Sequence, residues 1–289
     1  MNKTSLNIQI LLYYSSKDLT KLLESINSLI RGDSKLHFIL MDQSEDEKEY
    51  KEVEKILEKP LKKTNIKITL DRQPNYGFGK GHNEVYRKNK KSYNNHFIIL
   101  NPDSILHPDL IEKVNKYLRQ IDNERWGLLE FEQFPSEHPK FYDPYTLETN
   151  WCSGSGLIIN REAFEDIGMF DENIFMYGED VDLSIRMRMA KYKILHLPKA
   201  SFTHLTKDTD VTKESKFTRL HKQSSELYLR YKFAKDSDVR AYLSLLKEDP
   251  DREKIMKMFK VMKKKLVRRT FYKKFVDKNQ DYTNFRWTI

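Results

Sequence analysis

The sequence predicts an α/β domain with a largely parallel central sheet, followed by a basic helical extension. Three observations carry that reading. Short apolar runs alternate with helix-period segments over the first hundred residues, acidic side chains recur where those runs stop, and the surplus positive charge is confined to the region after residue 205. Strands alternating with helices are the pattern of βαβ units, and such sheets bind ligands beyond the carboxyl ends of their strands.

The elements follow in chain order. Asn7 to Tyr14 is a β-prone apolar run. Leu19, Leu22, Leu23, Ile26 and Leu29 recur at helical spacing, and Asp18 could cap that helix. Leu36 to Met41 is a second strand ending at Asp42-Gln43-Ser44, a charged helix covers 45–58, and Ile66 to Leu70 is a third strand. Gln73 to Tyr86 reads as a glycine-rich turn and a helix, and His96 to Leu100 as a fourth strand ending at Asn101-Pro102-Asp103. The acidic and aromatic stretch at 128–150 shows no period and reads as a loop over the rim. Gly154 to Asn160 is a strand, Arg161 to Ile167 a short helix, 182–190 a helix with Leu183 and Met187 inward, and 192–197 a strand stopped by Pro198.

Composition narrows the class. The 289 residues suffice for one large domain or a domain with an appendage, and 16 Tyr, 16 Phe and 3 Trp supply the core material that disordered chains lack. No apolar run approaches the ~20 residues of a bilayer span. Met1 to Ile10 lacks the basic start and long apolar core of a secretory signal, so a cytoplasmic protein is expected. The single cysteine, Cys152, excludes an internal disulfide or a Cys-rich metal framework.

The net charge of +9 resolves into two parts: residues 1–205 carry 29 basic and 31 acidic side chains, residues 206–289 carry 23 and 12. These spans are the expected catalytic domain and basic extension. Positive charge peaks at 252–278, where Ile255, Met258, Phe259, Met262 and Leu266 form an apolar stripe among lysines. That stretch fits a solvated helix docked on the main domain, an anionic membrane surface, or nucleic acid, for which Phe259, Phe271 and Tyr272 could supply stacking.

Four segments carry chemistry. Asn75-Tyr76-Gly77-Phe78-Gly79-Lys80-Gly81-His82-Asn83 places glycines at alternate positions before a helix, where backbone can approach a phosphate or sugar, or simply turn. Asn101-Pro102-Asp103 ends a strand with two oxygen-bearing side chains that can hold a hard divalent cation, or make a turn. In the run Gly168 to Leu183, Glu179 and Asp180 lie just before a helix, where a carboxylate can serve as a base. Asp182 reads as that helix's cap. His204 matters only if it reaches the rim that holds Asp103.

Together these segments resemble the inverting family-two glycosyltransferases of the GT-A fold, the sugar-nucleotide-dependent group that includes bacterial rhamnosyltransferases. The resemblance covers about residues 5–205 and rests on the Asn75–Asn83 segment, Leu100–Asp103, Ser153-Gly154 and the run Gly168–Leu183. It implies a mixed central sheet flanked by helices. It further implies that Asp42 contacts the nucleotide base, that Asn75, Gly77, Asn83, Asn101 and Asp103 line the donor, and that Trp151, Ser153 and Gly154 lie on the acceptor side. Asp103 and His204 would hold Mn²⁺ or Mg²⁺, and Asp180, with Glu179 beside it, would be the base. Ser15 and the Asp42-Gln43-Ser44-Glu45 sequence depart from the usual pattern near the nucleotide, which puts the base's identity in doubt.

The implied reaction is transfer of a sugar to a hydroxyl of a growing polysaccharide or lipid-linked glycan, with dTDP-rhamnose the favoured donor and UDP-hexoses second. The implied location is the inner face of the cell membrane, reached through the basic tail. A catalytically silent sugar-nucleotide-binding scaffold is the rival. A nucleic-acid partner is disfavoured, because the first 205 residues are near neutral.

Overall fold

The computed structural model describes residues 5–30, 32, 34–59, 61, 65–121, 124–138, 140–205 and 214–266. Residues 267–278 of the expected basic stretch, with Phe271 and Tyr272, lie outside them.

The alternating runs build half of an eight-stranded sheet. β1 (Ser5–Leu12), β2 (Lys35–Asp42), β3 (Ile66–Arg72) and β4 (His96–Leu100) pair in parallel in the order β3-β2-β1-β4. Their crossovers are α1 (Ser16–Ser28), α2 (Glu47–Leu57) and α3 (Phe78–Asn89). The other half is mixed. β7 (Gly156–Asn160) pairs antiparallel with β4, β6 (Trp126–Phe134) antiparallel with β7, β8 (Lys193–His204) parallel with β6, and β5 (Ser104–Leu106) antiparallel with β8. The sheet is therefore mixed rather than largely parallel, and β4's carboxyl end turns directly into the edge strand β5.

Several local expectations change. Residues 126–134 form a strand near the sheet's centre, not a loop, because both faces are covered and Leu128, Leu129, Glu130 and Phe131 are all buried. Pro198 does not end β8. The pairing jumps from Phe131↔Leu197 to Glu132↔Ser201, so the proline sits in a bulge, where its missing N–H costs no ladder bond. The N-cap of α1 is Ser15, with Asp18 in the first turn. Two elements fall outside the sequence expectation: β5, only three residues long, and α4 (Leu110–Gln120), although Leu110, Ile111, Val114 and Leu118 recur there at helical spacing.

α5 (Arg161–Asp166) and α6 (Glu179–Met189) follow β7, and α7 (Lys216–Phe233), α8 (Asp236–Leu245) and α9 (Arg252–Lys265) close the described chain. Ile174, Val181 and Ile185 join Leu227, Tyr228, Phe233, Ile255, Phe259 and Met262 in one apolar cluster. The change of surface charge after residue 205 is thus not a break in packing. The stripe on α9 faces inward: Ile255, Phe259 and Met262 are buried, with Tyr231 of α7 edge-on to Phe259. Docking on the main body accounts for that stripe, while Lys254, Lys257, Lys260 and Lys264 stay exposed.

A buried ion cluster locks α7 to α6. Lys232, whose side chain is 2% exposed, bonds Asp171 Oδ2 at 2.7 Å and Asp182 Oδ1 at 2.5 Å. Asp182 also takes Arg186 Nε at 2.7 Å, and Tyr228 donates to Asp171 at 2.8 Å. Asp182 is therefore not the helix cap; Gly178 holds that position at φ 92°. Removing one member of a buried pair leaves the other charge stranded, at about 3–5 kcal/mol. Lys232→Met is expected to lower the unfolding free energy by about 3 kcal/mol, read from the urea midpoint at constant slope. An unchanged midpoint would show that the cluster does not hold this interface.

Candidate active site

The carboxyl ends of β4, β6 and β8 and the amino end of α6 meet at one rim, and a continuous set of hydrogen bonds joins them. Asp103, just beyond β4, lies with Oδ1 3.1 Å from His204 Nε2 at the end of β8. Asn101 Nδ2 is 3.3 Å from the same nitrogen. On the ring's other side His204 Nδ1 is 3.2 Å from Gln133 Oε1 of β6. Gln133's amide is oriented by its Nε2 donating to Ser136 O at 2.8 Å and by Ser155 Oγ donating to its Oε1 at 2.9 Å. The Ser155 carbonyl accepts Asn101 N–H at 3.0 Å. One residue earlier, Gly154 N–H donates to Asp180 Oδ2 at 2.9 Å.

Gln133 orients His204. An amide oxygen accepts, so the contact assigns a proton to Nδ1 and turns Nε2 toward Asp103. The Asp103 carboxylate and this nitrogen lie 3.1 Å apart, and the same two atoms can ligate one cation. Carboxylate oxygen and imidazole nitrogen with open positions suit Mn²⁺ or Mg²⁺, so the residues fit the implied metal. Among the described residues no group of three or more His, Cys, Asp or Glu could cage an ion. A cation here would take its remaining ligands from elsewhere.

Asp180 is held at the start of α6 by two backbone N–H groups, Gly154 at Oδ2 and Val181 at Oδ1, the latter at 2.8 Å. Tyr177 and Gly178, both at positive φ, make the turn that presents it. Burial pushes the Asp180 carboxyl above the ordinary aspartate range, against the two N–H bonds that pull it down. Glu179, buried and with Oε2 unbonded among the described residues, is pushed up much further, first by burial and then by the Asp180 charge. Burial thus raises both adjacent carboxyls, Glu179 more than Asp180, whose two oxygens each receive a backbone donor.

Other expected residues have different surroundings. Asp42 is buried, and its carboxylate accepts Ser44 Oγ at 2.7 Å, beside the exposed Tyr13 and Tyr14 at the end of β1. Asn75 Oδ1 accepts Gly77 N–H at 3.1 Å, shaping the turn. Asn83 is fully buried, donating to Phe170 O at 3.0 Å and accepting Phe170 N–H at 3.1 Å, and so clamps α3 to the 170 loop. Gly77, at φ 77°, lies against protein: a Cβ there would sit 2.0 Å from Phe175 O. At Gly79 a Cβ would be 3.3 Å from Glu179 Cβ. The alternate glycines thus let α3 pack closely on three sides, Gly77 on Phe175, Gly79 on Phe170 and Glu179, and Gly81 on Gln43 and Leu11. Trp151 is buried beneath Lys140, whose ammonium lies 4.2 Å from the ring centroid. Gln133, Glu130, Lys140 and Lys232 were not anticipated; the first three fall in the stretch read as loop, where no periodicity flagged them.

Comparison with known proteins agrees with this architecture. No family model matches the chain. It is 25% identical over 192 residues to rhamnosyltransferase WbbL of Escherichia coli, spanning 54% of this chain and 71% of that one. It is 34% identical over 95 residues to the N-acetylglucosaminyl-diphospho-decaprenol L-rhamnosyltransferase of Mycobacterium tuberculosis, which is 33% of this chain but 28% of the relative's length. Among solved structures it superimposes on the mannosyltransferase of Pyrobaculum calidifontis in complex with GDP-Man and Mn²⁺. That match has a TM-score of 0.58 and 12% identity, over 96% of this chain and 74% of that one. The chain has the GT-A glycosyltransferase fold, and its sequence relatives are rhamnosyltransferases. In this GT-A fold the β4 end, the β8 end and the α6 turn form the single rim described above. No helix among the described residues is long and apolar enough to cross a membrane.

Gly77→Ala would combine an unfavourable φ with a backbone collision. It is expected to cost at least about 2 kcal/mol of stability, measured by thermal denaturation, with Gly32→Ala, open to solvent though also at positive φ, as the milder control.

Proposed function

We propose that this chain is an inverting, metal-dependent glycosyltransferase. It moves a sugar from a nucleotide-diphosphate donor, dTDP-rhamnose first and UDP-hexoses second, to a hydroxyl of a lipid-linked or polysaccharide acceptor. The observation that carries the reading is the Asp180 carboxyl, fixed by two backbone N–H groups beside Glu179 and linked through Gly154, Ser155 and Gln133 to His204 and Asp103. Asp103 and His204 would hold the cation, with Asn101 nearby; bound there it would stabilise negative charge on a departing diphosphate.

The chain's own residues perform the rest. Asp180 accepts the proton of the acceptor hydroxyl as that oxygen attacks the anomeric carbon. The two N–H donors fix the carboxylate's direction, so it approaches the acceptor from one side, and a single displacement inverts the anomeric centre. Asp42, Asn75 and Gly77 would belong to the nucleotide end of the rim, with Gly77 acting through the turn. Asn83 would support the donor side indirectly, through Phe170. Trp151, Ser153 and Gly154 would border the acceptor. The mycobacterial relative acts on a decaprenol-diphosphate-linked sugar, which supports a prenyl-diphosphate-linked acceptor here. The exposed lysine row of α9 would then meet anionic lipid electrostatically, its apolar stripe already being buried.

The deciding assay is nucleotide diphosphate release from dTDP-, UDP- and GDP-sugars with Mn²⁺, Mg²⁺ or EDTA. Release from one donor with metal, lost in Asp180→Asn by at least about 10³-fold with donor binding retained, is expected. Because Asp180 must be ionised and its pKa is raised, kcat/KM should fall as pH drops through a value above 3.8. Wild-type turnover in Asp180→Asn would overturn the base, while donor binding without release or acceptor transfer would favour the silent scaffold. Replacing Lys254, Lys257, Lys260 and Lys264 with Gln should abolish co-sedimentation with phosphatidylglycerol vesicles; unchanged sedimentation would dismiss α9 as the contact.

A further inference from the structure

Beneath the acceptor side lies a charged cluster that the proposed reaction does not use. Glu130 of β6 is 3% exposed, and its Oε1 accepts both the Lys140 ammonium and Ser153 N–H, the latter at 2.7 Å. Its Oε2 faces His196 Nδ1 at 3.4 Å, and His196 Nε2 faces Glu137 Oε2 at 3.5 Å. The Lys140 side chain is only 3% exposed, sealed between Glu130 and the Trp151 ring. Burying a carboxylate and an ammonium is costly unless each satisfies the other. The segment from Lys140 to Ser153 is therefore tied down at both ends by one carboxylate.

The same peptide holds the base. Ser153 N–H goes to Glu130 and Gly154 N–H, one residue on, goes to Asp180, so two buried carboxylates grip consecutive amides. The ionisable groups acting on Asp180 include Glu179 beside it on α6, Glu130 on β6, and Lys140 and Cys152 on the segment between β6 and β7. Lys140 is the one cation among them, and it opposes the charge of Glu130.

We propose that Lys140 is a positioning residue that keeps Asp180 ionised, by neutralising Glu130 and thereby seating the Ser153-Gly154 peptide. The functional consequence rests on Asp180 being the base, but the electrostatic effect does not. It also couples the two sides of the reaction. The lysine that covers Trp151, on the acceptor side of the rim, then adds to the Gly154 and Val181 N–H groups in lowering the proton affinity of the group receiving the acceptor's proton. Seating of that segment and readiness of the base are then one event.

The test titrates the Asp180 carboxyl directly, by ¹³C NMR of aspartate-labelled protein, its resonance assigned with Asp180→Asn. Lys140→Met is expected to raise the Asp180 titration midpoint by about one unit. Lys140→Arg should leave it within a few tenths of wild type. Glu130→Gln/Lys140→Met should return it toward wild type, because glutamine keeps an oxygen for Ser153 N–H without the stranded charge. Unchanged titration in Lys140→Met overturns the proposal, as does a double variant no better than the single, which would make the lysine a packing element. Circular dichroism and melting of Lys140→Arg and the double variant guard against simple misfolding. Turnover of Asp180→Asn is read separately: full activity there removes the base assignment, whatever the titrations give.

Discussion

The rim depends on three consecutive residues, Ser153, Gly154 and Ser155. Their two amides, a carbonyl and a hydroxyl bind Glu130, Asp180, Asn101 and Gln133. β6, α6 and the carboxyl end of β4 are thereby brought to one register. A substitution that bent this peptide would move Asp180, the Asn101–Asp103 turn and the histidine together. Gly154 is tightly packed, since a Cβ would lie 3.0 Å from the Phe78 ring. The segment is therefore packed from α3 as well as bonded from the sheet.

Around that peptide, electrostatics does by partition what a single group could not. Glu179 and Asp180 share a buried turn at a helix start, and burial pushes both carboxyls up. Only Asp180 receives backbone donors on both oxygens, which oppose the effect of burial there. A similar arrangement holds Asp103 and His204, where Gln133 bonds one ring nitrogen and the other lies 3.1 Å from the carboxylate.

The C-terminal helices belong to this arrangement mechanically. Lys232 reaches from α7 into the charge left by Asp171 and Asp182, which flank the catalytic turn in sequence. The apolar faces of α7 and α9 cover Val181 and Ile185 of α6. A domain drawn at the charge boundary would leave the base's helix half unsupported. The basic composition of the extension describes its outer surface, and its packing describes its task.

Composition and periodicity sufficed for the parallel half of the sheet, because β1, β2 and β4 are largely buried apolar runs and the intervening helices carry regular apolar stripes. The motifs also marked Asp103, Asp180 and His204, but turns and helix caps are equally open to such residues, and it was the family resemblance that joined them. The sequence could not show that 126–134 is a central strand, because Glu130 and Gln133 break its apolar pattern for reasons that exist only in three dimensions. Nor could it show that the alternate glycines serve packing on Phe175 and Glu179, that Asn83 is a clamp, or that Asp182 pairs with a lysine fifty residues away. Local chemistry sets which backbone conformations a segment favours. Which polar groups must be buried, and therefore paired, is decided by contacts between distant segments, and only the tertiary structure supplies those.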